Sequence, residues 1–161
     1  MSPTPELRLE LVSKPAYLCG VRELIGGVAQ QFGFVGPQAH RIVLAVDEAL
    51  ANVIVHGYQR REDGSIRVDI FRVGDHAATA GIRIVIEDDG RTVDPATIRS
   101  RELADIRPGG LGVHIIREIM DQVTYEPRPS GGMRLTLVKH LAPVLAGTKR
   151  GSSGECDCQE G

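Results

Sequence analysis

Between Glu6 and Val12 the chain reads ELRLELV, placing Leu7, Leu9 and Leu11 at alternate positions. A period of two predicts a half-buried strand at the start of the domain. Ser13 followed by Pro15 marks a helix start with Ser13 as its cap, and Leu18, Val21, Leu24, Ile25 and Val28 then recur at helical spacing to about residue 31. Gly33 and Gly36 interrupt that run. A second helix is predicted over residues 37–56, where Ile42, Val43, Val46, Ala49, Leu50, Val53 and Ile54 form a broad apolar stripe, with Gly57 as its terminator. Two β-rich runs, residues 65–73 and 81–87, predict an antiparallel hairpin. A third helix is predicted over 111–120, followed by strands over 123–127 and 133–141 about a turn at 129–132. Residues 88–112 are instead rich in Gly, Asp, Arg and Pro, with one short helix predicted near 95–103. A loop of that length in a small domain usually serves function.

The order β α α β β α β β predicts an α+β fold. The expected architecture is a two-layer sandwich whose mixed, mostly antiparallel sheet carries three helices on one face. Residues 1–146 would form this domain, and the polar residues 147–161, with no apolar period, a flexible tail. The chain has 161 residues, 42% hydrophobic and 25% charged, which suits a single globular core. Its formal net charge of -2 offers no field for holding a polyanion, so no direct nucleic-acid partner is expected. No apolar run approaches the ~18 residues needed to span a bilayer, so no membrane association is expected. The three cysteines are Cys19 in the first helix and Cys156 and Cys158 in the tail. They form no disulfide framework, which favours a reducing, cytoplasmic setting.

Three local patterns carry chemistry. Glu48 and Asn52 are four residues apart in the second helix, as are Asn52 and His56, so the three share a face beside the apolar stripe. An isolated pair of this kind also fits the solvent boundary of any amphipathic helix. The chemical alternative is that the Asn carboxamide offers an oxygen to Mg2+ while the carboxylate orients or deprotonates a hydroxyl. Asp88, Asp89 and Gly90 follow an apolar strand; Asp-Gly is a common turn, but a strand-end carboxylate can also accept from an exocyclic amine beside a close glycine backbone. Gly109, Gly110 and Gly112 open the third helix, where free N–H groups and the helix dipole favour an anion. His56 and His114 read as capping, packing or surface histidines, and Arg60 and Arg61 as part of a solvated loop.

Taken in order, the strings VDEALANVIVHGY (46–58), IEDDGRTVDP (86–95), GGLGVHIIREIMDQVTYE (109–126) and GGMRLTLVKHL (131–141) resemble the GHKL, or Bergerat-fold, ATPase superfamily, and within it the small anti-sigma-factor serine/threonine kinases. The resemblance implies that Asn52 ligates Mg2+ on the ATP phosphates and that Glu48 is the general base. It further implies that Asp88 and Gly90 receive adenine, that Gly110, Leu111 and Gly112 meet the phosphates, and that residues 92–108 form an ATP lid. The implied function is an ATP- and Mg2+-dependent protein kinase that phosphorylates a small antagonist protein and sequesters a sigma factor, with homodimerisation left open. A non-catalytic nucleotide-binding module holding a protein partner is the competing function. Two positions depart from the family pattern. Thr92 stands where many relatives have a second glycine, implying a stiffer lid hinge. Met133 stands where a threonine often joins the adenine network, and Thr136, on the opposite strand face, does not replace it.

Overall fold

A computed structural model of the chain describes residues 4–74, 80–98 and 111–141. Strand β1 (Leu7–Val12) leads through a short 3-10 turn into helix α1 (Leu18–Gln31), then α2 (Gly36–Asn52), β2 (Ser65–Val73), β3 (Gly81–Asp88), α3 (Leu111–Ile119), β4 (Gln122–Pro127) and β5 (Met133–His140). The strands form one five-stranded sheet in the order β1-β2-β3-β5-β4.

Every pairing is antiparallel, which corrects the expectation of a mixed sheet. The reason lies in the connections: β2–β3 and β4–β5 follow each other directly, whereas α1 with α2 separates β1 from β2, and α3 with β4 separates β3 from β5. An even number of inserted elements returns the chain antiparallel, whereas a parallel neighbour needs a single crossover. The register, with Val68 opposite Ile86 and Ile86 opposite Leu135, aligns alternate apolar positions on one face. Ile66, Val68, Ile70, Ile82, Ile84, Ile86, Leu135 and Leu137 are buried there with Ile25, Ile42, Val46, Leu50, Ile116 and Ile119 of the helices. Each such side chain contributes about 1.5–3 kcal/mol on leaving water.

The opposite face is polar yet well shielded. Arg8 Nε lies 2.6 Å from Asp69, Arg134 Nε lies 2.5 Å from Glu87, and Arg67 also pairs with Glu87. Asp69 and Glu87 are only 7% and 5% exposed, so guanidinium partners compensate carboxylates that would otherwise lose hydration uncompensated.

Two local expectations change. Ser13 caps no helix: the residues before the 3-10 turn and before α1 are Lys14 and Tyr17, neither with a side-chain cap. The fully buried Ser13 hydroxyl instead donates to the Arg61 carbonyl and accepts from Gly64 N–H at 3.0 Å, fastening the end of β1 to the loop before β2. The second helix stops being α-helical at Asn52 and ends in one π turn, Val53–Gly57. The wider turn breaks the four-residue phase, so Asn52 is half-buried while His56 is exposed. The short helix expected near 95–103 is a 3-10 turn over Pro95–Thr97, and its remainder from residue 99 lies outside the described residues. So do Gly109 and Gly110, most of the expected lid, and the tail with Cys156 and Cys158.

Candidate functional site

The two ends of the second helix's polar line meet different neighbours. At its middle, α3 lies against α2, and the contact point is Gly112. A Cβ on Gly112 would stand 2.6 Å from Glu48 Oε2 and 3.4 Å from Asn52 Nδ2, so only a glycine leaves both side chains where they are. Asn52 Nδ2 is buried without a hydrogen-bond partner among the described residues. A buried, unused amide donor beside a carboxylate and a helix N-terminus suits a phosphate oxygen, while the carboxamide oxygen is the kind of hard ligand Mg2+ takes. Leu111, at the first position of α3, is 55% exposed and stands beside this junction.

At the far end, the π turn meets the strand-end turn after β3. Gly57 and Gly90 touch through their backbones: a Cβ on Gly90 would stand 2.8 Å from Gly57 C and O, and Arg91 N–H donates to Gly57 O at 2.9 Å. Asp88 is 4% exposed, and its Oδ1 accepts from Gly90 N–H at 2.8 Å. Burial pushes its carboxyl above the usual range. The N–H groups of Gly90 and Met133 and the charge of Arg128 oppose that shift, whereas Asp89 adds to it. Among the described residues no cation is hydrogen-bonded to this buried carboxylate, although the charge of Arg128 lies nearby, and its free lone pairs can accept from a ligand N–H.

Three residues not singled out by sequence pattern hold this turn. Tyr58, buried at the end of the π turn, donates its hydroxyl to Ser65 O and accepts from Asp89 N–H at 2.8 Å. Burial raises its phenol pKa. Arg128, in the β4–β5 turn, donates to Asp88 O at 2.6 Å and pairs with the Asp89 carboxylate. Gly132, at φ 77°, packs against the same carbonyl, where a Cβ would come within 2.0 Å of Asp88 O. The tyrosine after the helix and the lone arginine in a glycine-rich turn were visible in the strings quoted above. Their partners are 31 and 40 residues away and follow only from the tertiary packing of the helix end and the strands.

The two departures from the family pattern also find each other's surroundings. Thr92 Oγ1 accepts from Gly132 N–H at 3.0 Å, and Val93 N–H lies 3.4 Å from Met133 Sδ. Both tether the start of the expected lid to the β4–β5 turn. Thr136 pairs with Val85 and Thr124 on the other face of the sheet, as the alternation requires. His114 lies 3.6 Å from Glu118 one helical turn on, and Arg61 pairs with Asp63 in the exposed loop.

The sequence profile of the histidine kinase-like ATPase domain matches residues 11–139, a span holding all the elements just described except most of β1 and the last residue of β5. The chain belongs to that family. Membership of a histidine kinase-like ATPase family implies that the domain binds ATP. The chain is 27% identical over 150 residues to the serine-protein kinase RsbW of Oceanobacillus iheyensis, covering 88% of this chain and 90% of that one. It is 26% identical over 145 residues to the anti-sigma F factor of Clostridium novyi, covering 86% and 96%. Among solved structures, the RsbU and RsbW domains of Rv1364c from Mycobacterium tuberculosis share the fold, with a TM-score of 0.56 and 18% identity. That alignment covers 86% of this chain and 33% of the other. No helix among the described residues is long and apolar enough to cross a membrane.

Proposed function

We propose that this protein is an ATP-dependent serine/threonine protein kinase acting as an anti-sigma factor: it phosphorylates a small antagonist protein and sequesters a sigma factor in the cytoplasm. The observation that carries this reading is the seating of Gly112 on Glu48 and Asn52, which brings a base, a carboxamide and a helix N-terminus to one point. The names of the relatives, a serine-protein kinase and an anti-sigma F factor, support the choice of reaction and partners.

Asp88 accepts from the adenine amino group, with the Gly90 main chain, seated against Gly57, beside the ring. Leu111 and Gly112 present main-chain N–H groups to the phosphates, a role the family resemblance extends to Gly110, and the unpaired Asn52 amide donates to a phosphate oxygen. The Asn52 carboxamide oxygen would hold Mg2+, which when bound supplies neutralisation of phosphate charge. Glu48 aligns the acceptor serine and takes its hydroxyl proton as the oxygen bonds to the γ-phosphorus and the bond to ADP breaks.

The test is Glu48→Gln, which keeps size and hydrogen bonding but removes the base. Intact-mass measurement of a serine-bearing antagonist incubated with ATP is expected to show transfer slowed by about 10²- to 10⁴-fold, with ATP affinity unchanged. A wild-type protein that binds ATP and phosphorylates no antagonist would make the nucleotide a conformational ligand and overturn the kinase reading.

A further inference from the structure

Asp88 lies in a turn that is clamped from two sides. On the helix side, Tyr58 receives Asp89 N–H and Gly57 receives Arg91 N–H. On the sheet side, one guanidinium nitrogen of Arg128 holds both the Asp88 carbonyl, at 2.6 Å, and the Asp89 carboxylate. The Arg128 side chain is only 17% exposed. Its own turn is closed by Arg128 N–H to Gly132 O at 3.1 Å and by Gly131 N–H to Arg128 O at 3.0 Å. Arg128 therefore stands on a rigid base and grips the peptide that carries the Asp88 side chain, while its charge lies close enough to favour that carboxylate.

We propose that Arg128 is a positioning residue for base recognition, fixing the Asp88 carboxylate in place so that the site selects adenine over a purine lacking the 6-amino group. This rests on the assignment of Asp88 to adenine made above. A fork held at the main chain on one side of the turn, opposite Tyr58 on the other, leaves the carboxylate no rotation of its backbone. Arg128 touches neither base nor phosphate in this arrangement; it acts through Asp88.

The groups that face Asp88 set the direction of its pH response. Arg128 comes from the β4–β5 turn, Asp89 is next in the chain, and Tyr58 comes from the end of the second helix, its phenol neutral near pH 7. Glu87 points to the opposite face, among Arg67 and Arg134, with Arg128 Nε 3.9 Å from its carboxylate. Removing the Arg128 charge leaves Asp89 unopposed among the described residues, so Asp88 takes up its proton at a higher pH and loses its strength as an acceptor there.

Calorimetric titration of the full chain with ADP and with IDP tests this in the wild type, Arg128→Met and Arg128→Lys. The wild type is expected to prefer ADP. Arg128→Met is expected to lower ADP affinity about tenfold and leave IDP affinity unchanged, the difference between a charge-assisted and a neutral hydrogen bond. Its loss of ADP binding on acidification should begin at a higher pH than in the wild type, and Arg128→Lys, which keeps the charge, should restore the wild-type profile. Equal losses for ADP and IDP, or an unmoved acid limb, would make Arg128 a merely structural residue and overturn the proposal. A wild type indifferent between ADP and IDP would overturn the Asp88 assignment itself.

Discussion

Gly112→Ala separates catalysis from folding. The added methyl would stand 2.6 Å from Glu48 Oε2, about 0.8 Å inside the closest ordinary contact of a Cβ. The atom it meets is the far end of a flexible side chain, so Glu48 can swing away at little cost to the fold. Asn52 Nδ2, at 3.4 Å, need not move. Gly112 is the second residue of α3, where alanine favours the helix by at most about 0.5–1 kcal/mol. Stability should therefore be unchanged or slightly raised, up to about 3 °C in melting temperature. The displaced carboxylate should slow phosphoryl transfer roughly 10²-fold, the usual consequence of a misplacement near 1 Å. Thermal melting of the nucleotide-free protein and intact-mass kinetics on the antagonist measure the two effects. A variant that melts several degrees lower would show that Glu48 is locked by its surroundings. A variant with wild-type transfer would show that Glu48 does not need its present position, and the base assignment would fall with it.

Gly132→Ala should behave in the opposite way, since its Cβ would meet the Asp88 carbonyl at 2.0 Å and the residue sits at φ 77°; a loss of at least about 2 kcal/mol in chemical denaturation is expected, and an unchanged midpoint would refute the turn geometry. Asp88→Asn should weaken ADP binding by about 1.5–3 kcal/mol while stabilising the nucleotide-free fold near pH 7. The sign follows from burial, which raises the Asp88 pKa in the folded state: the ionised form is a liability above that raised value, and the liability disappears as pH falls and the native carboxyl takes its proton. The melting-temperature gap between variant and wild type should accordingly close on acidification, and a gap that widens would contradict a buried, raised Asp88.

The helices and strands were legible in the chain because each buries one face: ELRLELV can bury its leucines only as a strand, and the stripe from Ile42 to Ile54 only as a helix. The order of elements left the strand directions open, since α3 alone joins β3 to β4 as in a parallel crossover; only the insertion of β5 between them makes the pairings antiparallel where a mixed sheet was expected. Glu48, Asn52, Asp88, Gly90 and Gly112 could be singled out because their motifs are local, with a fixed spacing inside one element or one turn. What the chain alone left open was anything that depends on two distant segments meeting. The π turn after Asn52 ends at Gly57, whose backbone packs against Gly90, a contact between backbones that no side-chain pattern records. Ser13 reads as a helix cap because its neighbours look like a helix start, yet its hydroxyl serves a loop 48 residues away. Tyr58 and Arg128 look unremarkable in sequence and become the two sides of a clamp only once the register of β3, β4 and β5 has brought Arg128, and the packing of the helix end has brought Tyr58, to the same turn. A local pattern reports the faces that a segment must bury, and those are set by the segment's own residues; which polar group ends beside which is set by the closing of the sheet, to which every strand contributes.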